Sequence, residues 1–291
     1  MQFLKKTGVH INLVTMVVGL VFFIPASAFE LVYENASKRE FSKPHDIILS
    51  PNGKYLYVAD NGNDRIVVLE PYSLRKMGSF GKGEVIEPHD VAFDNNGRLL
   101  VADTGGNRIA VYSVAGASGM LEKSIPAAMS RPEGVVFHSN GRVYATGSNY
   151  GNVVALENGE KIRELDGLSS PHDITVAPDG TLWVVDSGND RLLNLDQDLK
   201  LIRTVEGEAY GFAGPRYLDF DDLGRLYVTD KYNHQVKVLA PDMTLLRVIG
   251  ARHSTFGPGH FNRPEGAVIK GKDAWFSDTY NDRIVRYRIV D

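Results

Sequence analysis

Cysteine occurs nowhere in the 291 residues. Its absence excludes disulfides, thiolate metal ligands, a cysteine nucleophile and a lipid anchor attached through cysteine. Charge of one sign is not in excess either: 32 Lys and Arg stand against 36 Asp and Glu, a net charge of −4 spread along the chain. That balance gives no electrostatic footprint for nucleic acid or an anionic membrane surface as partner. Helical 3.6-residue periodicity is almost missing from the apolar positions, which argues against a helical solenoid. Also missing are a Gly-x-Ser-x-Gly elbow, a phosphate loop, a dinucleotide fingerprint and a His-Glu-x-x-His zinc helix, and the chemistries they carry find no support.

One stretch is strongly apolar. Lys5 and Lys6 form a short basic start, Ile11 to Ile24 is almost wholly apolar, Pro25 breaks the run, and Ala26-Ser27-Ala28 is a small-x-small cleavage site. This is the pattern of a secretory signal peptide over residues 1–28, removed before Phe29. The apolar run is shorter than the roughly 20 residues of a spanning helix. No membrane span is expected after cleavage. An exported chain without disulfides suits a bacterial periplasm, so a periplasmic or secreted location is expected.

Glycine and proline, by contrast, are plentiful and regularly placed, with 29 and 13 copies. Pro44-His45-Asp46 returns as Pro88-His89-Asp90 and as Pro171-His172-Asp173. Aligned on such prolines, the chain divides into six units opening at Pro44, Pro88, Pro132, Pro171, Pro215 and Pro264, about 44 residues each. Unit one reads His45 to Leu49, a Pro51-Asn52-Gly53 turn, Tyr55 to Asp60, a second turn over Asn61 to Asp64, Arg65 to Leu69, and Leu74 to Phe80. Four short β-type runs joined by Gly/Asn turns make an antiparallel meander. Such a sheet cannot bury both faces alone, so copies must stack. The expected fold is all-β, a six-bladed propeller over residues 29–291. Unit six ends without a fourth strand, and Phe29 to Asn35 is expected to supply it and close the ring.

A second signature follows each second strand: Asp60…Asn63-Asp64-Arg65, Asp103…Gly106-Asn107-Arg108, Asp186…Asn189-Asp190-Arg191 and Asp278…Asn281-Asp282-Arg283. Here the chain resembles the NHL repeat family across essentially the whole of residues 29–291, and the resemblance implies fold more than function. The Asp and Arg read as a structural charge pair. Unit three departs from the pattern with Gly147 and Asn152, and unit five has Gln235 for the arginine.

In a propeller the first strand of each blade lines the central channel. The residue after each unit's proline then forms a ring of six ionisable groups: His45, His89, Glu133, His172, Arg216 and Glu265. Three histidines with a free position suit a catalytic divalent metal, zinc above all, with Glu133 and Glu265 as further ligands or general bases and Arg216 beside an anionic substrate group. The other reading is a wet polar channel whose side chains satisfy backbone groups and water.

The Pro-His starts resemble those of peptidyl-hydroxyglycine amidating lyases. That resemblance implies His45, His89 and His172 as zinc ligands, Arg216 as a carboxylate clamp, and Tyr217 or Tyr210 as a base. Arg131-Pro132-Glu133-Gly134 and Arg263-Pro264-Glu265-Gly266 are similar to the starts of gluconolactonase and regucalcin propellers, which implies a divalent ion and lactone hydrolysis. His253 and His260 are expected as linker residues, and His138 and His234 as solvated turn residues. Two functions remain open on the linker face: a metal-dependent lyase or hydrolase acting on a small anionic or peptide-like substrate, and a non-catalytic module binding a protein, peptide or glycan.

Overall fold

The computed structural model describes residues 29–126 and 129–290, so the expected leader, residues 1–28, lies outside them. Six four-stranded antiparallel sheets are arranged as the blades of a propeller. Blade one is β2 (Pro44–Leu49), β3 (Leu56–Asp60), β4 (Arg65–Leu69) and β5 (Lys76–Phe80), paired in that order. The inner strands of the next four blades are β6 (Pro88–Phe93), β10 (Pro132–Phe137), β14 (Pro171–Val176) and β18 (Pro215–Phe220), each opening on the proline that marks its repeat. In blade six the inner strand, β22 (Ala267–Lys270), begins three residues later.

The ring closes as its ends require. β1 (Glu30–Ala36) pairs antiparallel with β24 (Arg283–Val290), Leu31 opposite Ile289 and Tyr33 opposite Tyr287, and so becomes the outer strand of blade six. Otherwise β24 would be an open edge.

Stacking explains the sequence pattern within each blade. A middle strand such as Leu-Tyr-Val-Ala-Asp of β3 is covered on both faces and is buried throughout, whereas the outer β5 alternates between half-buried and exposed residues. Six apolar clusters lie between neighbouring blades. Tyr57 and Ile66 of blade one meet Val91 and Tyr112 of blade two, and Trp275 and Ile284 of blade six meet Ile47 and Leu56 of blade one. Each such large side chain contributes about 1.5–3 kcal/mol by its burial.

Polar groups fix the turns. The buried Asp60 carboxylate accepts hydrogen bonds from Ser42 N (2.8 Å), Asn63 Nδ2 (2.9 Å) and Arg65 Nε (2.7 Å). Asp186 and Asp278 repeat the arginine contact with Arg191 and Arg283 at 2.7 Å, and Asp103 repeats it with Arg108 at 2.6 Å. In blade five, where Gln235 replaces the arginine, Lys237 two residues on pairs with Asp230 and donates to the carbonyls of Tyr210 (2.6 Å) and Gly211 (2.7 Å). Blade three has neither partner, and Asn152 Nδ2 turns instead to Glu164, 2.6 Å away.

A last feature aims the channel residues. The residue before each proline has a positive φ: Lys43 49°, Glu87 49°, Arg131 53°, Ser170 45°, Gly214 59° and Arg263 50°. This is far from the extended backbone that a residue before proline favours. In five cases its N–H is held by a side chain of the preceding blade, as in Glu87 N to Asp64 Oδ1 (3.0 Å) and Arg131 N to Asn107 Oδ1 (2.8 Å). The sharp bend turns each linker down into the channel.

Candidate functional site

The bends deliver the six residues that follow the prolines to the mouth of the channel. Five of them are nearly sealed: His45 is 7% exposed, His89 and Glu133 9% each, His172 2% and Glu265 0%. The three imidazoles are packed together, with ring centroids 4.3 Å apart for His45 and His89, 5.7 Å for His89 and His172, and 6.3 Å for His45 and His172. So the sequence ring is a real cluster.

Two subsets form within it. In the first, His89, Glu133 and His172 each offer a ligand atom, and these atoms lie within 4.8 Å of one another. His89 Nδ1 is 2.9 Å from the Glu87 carbonyl and donates to it, which leaves Nε2 with its lone pair. His172 Nε2 is 3.2 Å from Glu133 Oε2, and its buried Nδ1 has no hydrogen-bond partner among the described residues. Burial first, then Arg216 and the other two histidines, hold His172 well below the usual imidazole range and hence neutral. Two imidazoles with one carboxylate are the donor set of many catalytic zinc sites, with a coordination position left over.

The second subset is His45, Glu265 and Lys231. His45 Nε2 lies 3.0 Å from Glu265 Oε2, and Lys231 Nζ lies 2.7 Å from Glu265 Oε1. Burial opposes ionisation of Glu265, but His45, Lys231 and Arg216 outweigh it and bring its carboxyl down to about 2. Burial brings His45 down to about 3, so a neutral ring stands against the carboxylate. Its Nδ1 has no hydrogen-bond partner among the described residues. His45 therefore faces Glu265, while His172 Nε2 lies between the two glutamates, 3.2 Å from Glu133 Oε2 and 3.7 Å from Glu265 Oε2, and so links the two subsets.

Tyr217 is buried beside His172, with ring centroids 4.9 Å apart, and its hydroxyl donates to the His89 carbonyl at 3.0 Å. Burial, then the carboxylates below, hold its phenol well above the usual range. It supports the backbone of His89. Tyr210 stacks on Phe212 at 5.6 Å and packs on the core between blades four and five. Arg216 leans over Tyr232, 5.9 Å from the ring centroid, and its buried Nε has no hydrogen-bond partner among the described residues.

One layer down, the second residue after the proline joins the blades. Asp46 accepts from Val91 N (3.4 Å), Asp90 from Val135 N (2.6 Å) and Asp173 from Leu218 N (2.9 Å), each in the next blade of the sequence. Units three and six carry Gly134 and Gly266 there, because the next inner strand comes too close. A Cβ would collide with the His172 carbonyl in one case and the His45 carbonyl in the other. With Asp219, these carboxylates line a narrow cavity of about 100 Å³. Burial raises Asp46 and Asp173 well above the carboxylate range and Asp90 to about 6.

Sequence reasoning missed two contributors and misjudged two histidines. Lys231 and Asn61 follow the buried acid of their blades. Lys231 reaches Glu265, and Asn61 Nδ2 donates to the Pro88 carbonyl at 3.3 Å, beside His89. Their common place, one residue after the acid, was the available signal. His138 is buried, not solvated, because its Nε2 meets the Gly180 carbonyl (3.0 Å) and its Nδ1 accepts from Asn140 N (2.9 Å). His234 is half-buried and accepts from Arg263 N at 3.0 Å. His253 is exposed, and His260 folds onto the Pro258 carbonyl in its own linker.

Comparison with known proteins agrees with the repeats. The NHL repeat model matches residues 86–112, 168–193 and 212–239. No curated protein sequence matches the chain. Among solved structures, a streptogramin B lyase is 17% identical with a TM-score of 0.62, covering 90% of this chain and 87% of the other. Virginiamycin B lyase from Staphylococcus aureus is 14% identical with a TM-score of 0.64, over 90% and 100%. An auxiliary nutrient binding protein from Bacteroides ovatus is 15% identical with a TM-score of 0.70, over 90% and 76%. At these identities the likeness is one of fold.

Proposed function

With the chain a six-bladed propeller of NHL repeats, we propose that it is an exported, metal-dependent lyase or hydrolase acting on a small anionic or peptide-like substrate at the channel mouth. The observation that carries the proposal is the convergence of His89, Glu133 and His172 within 4.8 Å, next to imidazole nitrogens that are buried without partners. A divalent metal, zinc by the nature of the donors, would be held by those three. When bound it would supply Lewis-acid polarisation of a substrate oxygen or a water acidic enough to lose a proton near neutral pH.

The chain's own residues do the rest. The Glu87 carbonyl and Tyr217 fix the ring and backbone of His89. Glu265, kept ionised, orients His45 so that Nδ1 remains an acceptor at the mouth. Arg216 offers its unpaired guanidinium to an anionic group. Two of the structural neighbours are lyases by description, which favours such chemistry on this architecture, while the nutrient binding neighbour favours a binding module as the second reading.

The test is turnover of peptidyl-hydroxyglycine and aldonolactone substrates by the purified protein with added zinc. Activity that disappears with chelator and returns with zinc supports an enzyme. Bound metal with no turnover of either class favours the binding module.

A further inference from the structure

One position of the repeat changes character around the ring. The second residue after the buried acid is glycine in blades one, two and four, at Gly62, Gly105 and Gly188, where an added Cβ would run into Ser42, Ile86 and Ser169. In blades five and six the same position is Tyr232 and Tyr280. The backbone is unchanged: Tyr232 N donates to Ala213 O (3.0 Å) and Tyr280 N to Asn262 O (3.0 Å), as Gly62 N does to Ser42 O (2.8 Å). Two large aromatic rings therefore stand where blades one, two and four have a glycine packed tightly against the preceding linker.

Cations gather on those rings. Arg216, Lys231 and Arg263 lie 5.9, 5.8 and 5.8 Å from the Tyr232 centroid. Arg263, Lys231 and Lys43 lie 4.8, 5.6 and 5.9 Å from the Tyr280 centroid. Lys231 is paired with Glu265, but Lys43, Arg216 and Arg263 form no ion pair among the described residues. Tyr232 is 53% exposed, so the group faces solvent on blades five, six and one. Arg216 carries a buried Nε without a hydrogen-bond partner among the described residues.

Unpaired cations crowded together repel one another, and stacking on tyrosine offsets that only in part. Stacking does hold planar guanidinium forks in place for a bidentate acceptor. We propose that this rim is an anion subsite for a small molecule bearing at least two carboxylate or phosphate groups, one taken by Arg216 at the channel and one by Arg263 with Lys43 at the rim. Its role as a substrate subsite rests on the function proposed above; anion binding itself does not.

The experiment is calorimetric titration of chelator-treated, metal-free protein with tricarballylate, pyrophosphate and acetate, in low salt. Tricarballylate or pyrophosphate is expected to bind at least tenfold tighter than acetate, and the better of the two identifies the acceptor chemistry. Arg263→Gln is expected to weaken the multivalent anion at least tenfold, Arg263→Lys less, and Lys82→Ala, a rim lysine paired with Asp64, not at all. Unchanged thermal unfolding of Arg263→Gln shows that folding is not the cause. Equal affinity for acetate, no binding, or unaltered binding by Arg263→Gln overturns the subsite. Multivalent anions that bind while zinc never does would retain the subsite and remove its catalytic setting.

Discussion

His45 Nε2 and Glu265 Oε2 sit 3.0 Å apart across the junction of blades one and six, where the ring closes. Glu265 also holds Lys231, and it is completely buried. The pair thus joins the candidate site to the closure of the fold.

Stability should depend on Glu265 in a defined pH window. Its carboxyl titrates at about 2 when folded and 4.5 ordinarily, so folding favours the ionised form. The contribution is complete above about pH 4.5 and disappears as pH falls toward 2. Glu265→Gln should cost about 3 kcal/mol at pH 7, a difference that shrinks steadily between pH 5 and pH 2. Denaturant unfolding at several pH values measures it. A difference constant over that range would contradict the assigned ionisation.

Blade five should rely on Lys237. Alanine there leaves Asp230 buried without its cation and should cost about 3–5 kcal/mol in chemical unfolding. Gln235 faces Asp230 as Arg65 faces Asp60. Adding Gln235→Arg to Lys237→Ala should therefore recover much of the loss. No recovery would show that the lysine acts through the Tyr210 and Gly211 carbonyls instead.

Ring closure predicts a cost for losing the first strand. Deleting residues 30–36 uncovers β24 and separates Tyr33 from Tyr287, whose rings lie 5.7 Å apart. The midpoint of thermal unfolding should fall by about 10 °C or more, with association through the exposed edge in size-exclusion chromatography. An unaltered midpoint and a monomeric protein would mean that β1 adds little to blade six.

The fold was legible because it repeats. Pro-His-Asp, the Gly turns and the Asp-Asn-Arg triplets each mark one place in a blade, and six copies make the register plain. The inward position of His45, His89, Glu133, His172, Arg216 and Glu265 followed from that register. The pairing inside the ring did not follow, since it depends on how side chains lean between blades. Glu265 takes His45 and Lys231, and His172 lies between Glu133 and Glu265. Nor did the sequence show that His138 is buried, since its two ring partners, Gly180 and Asn140, come from different turns. Tyr232 and Tyr280 drew no notice in the sequence, because their meaning depends on the cations that fold around them.

The metal content of purified protein tests the central claim most directly. After zinc loading and desalting without chelator, inductively coupled plasma analysis should find about one zinc per chain. His89→Ala and His172→Ala should each lose most of it, while His253→Ala, an exposed linker change, should keep it. A wild-type protein with less than about 0.2 zinc per chain, or a His89→Ala variant that retains its metal, would contradict the site.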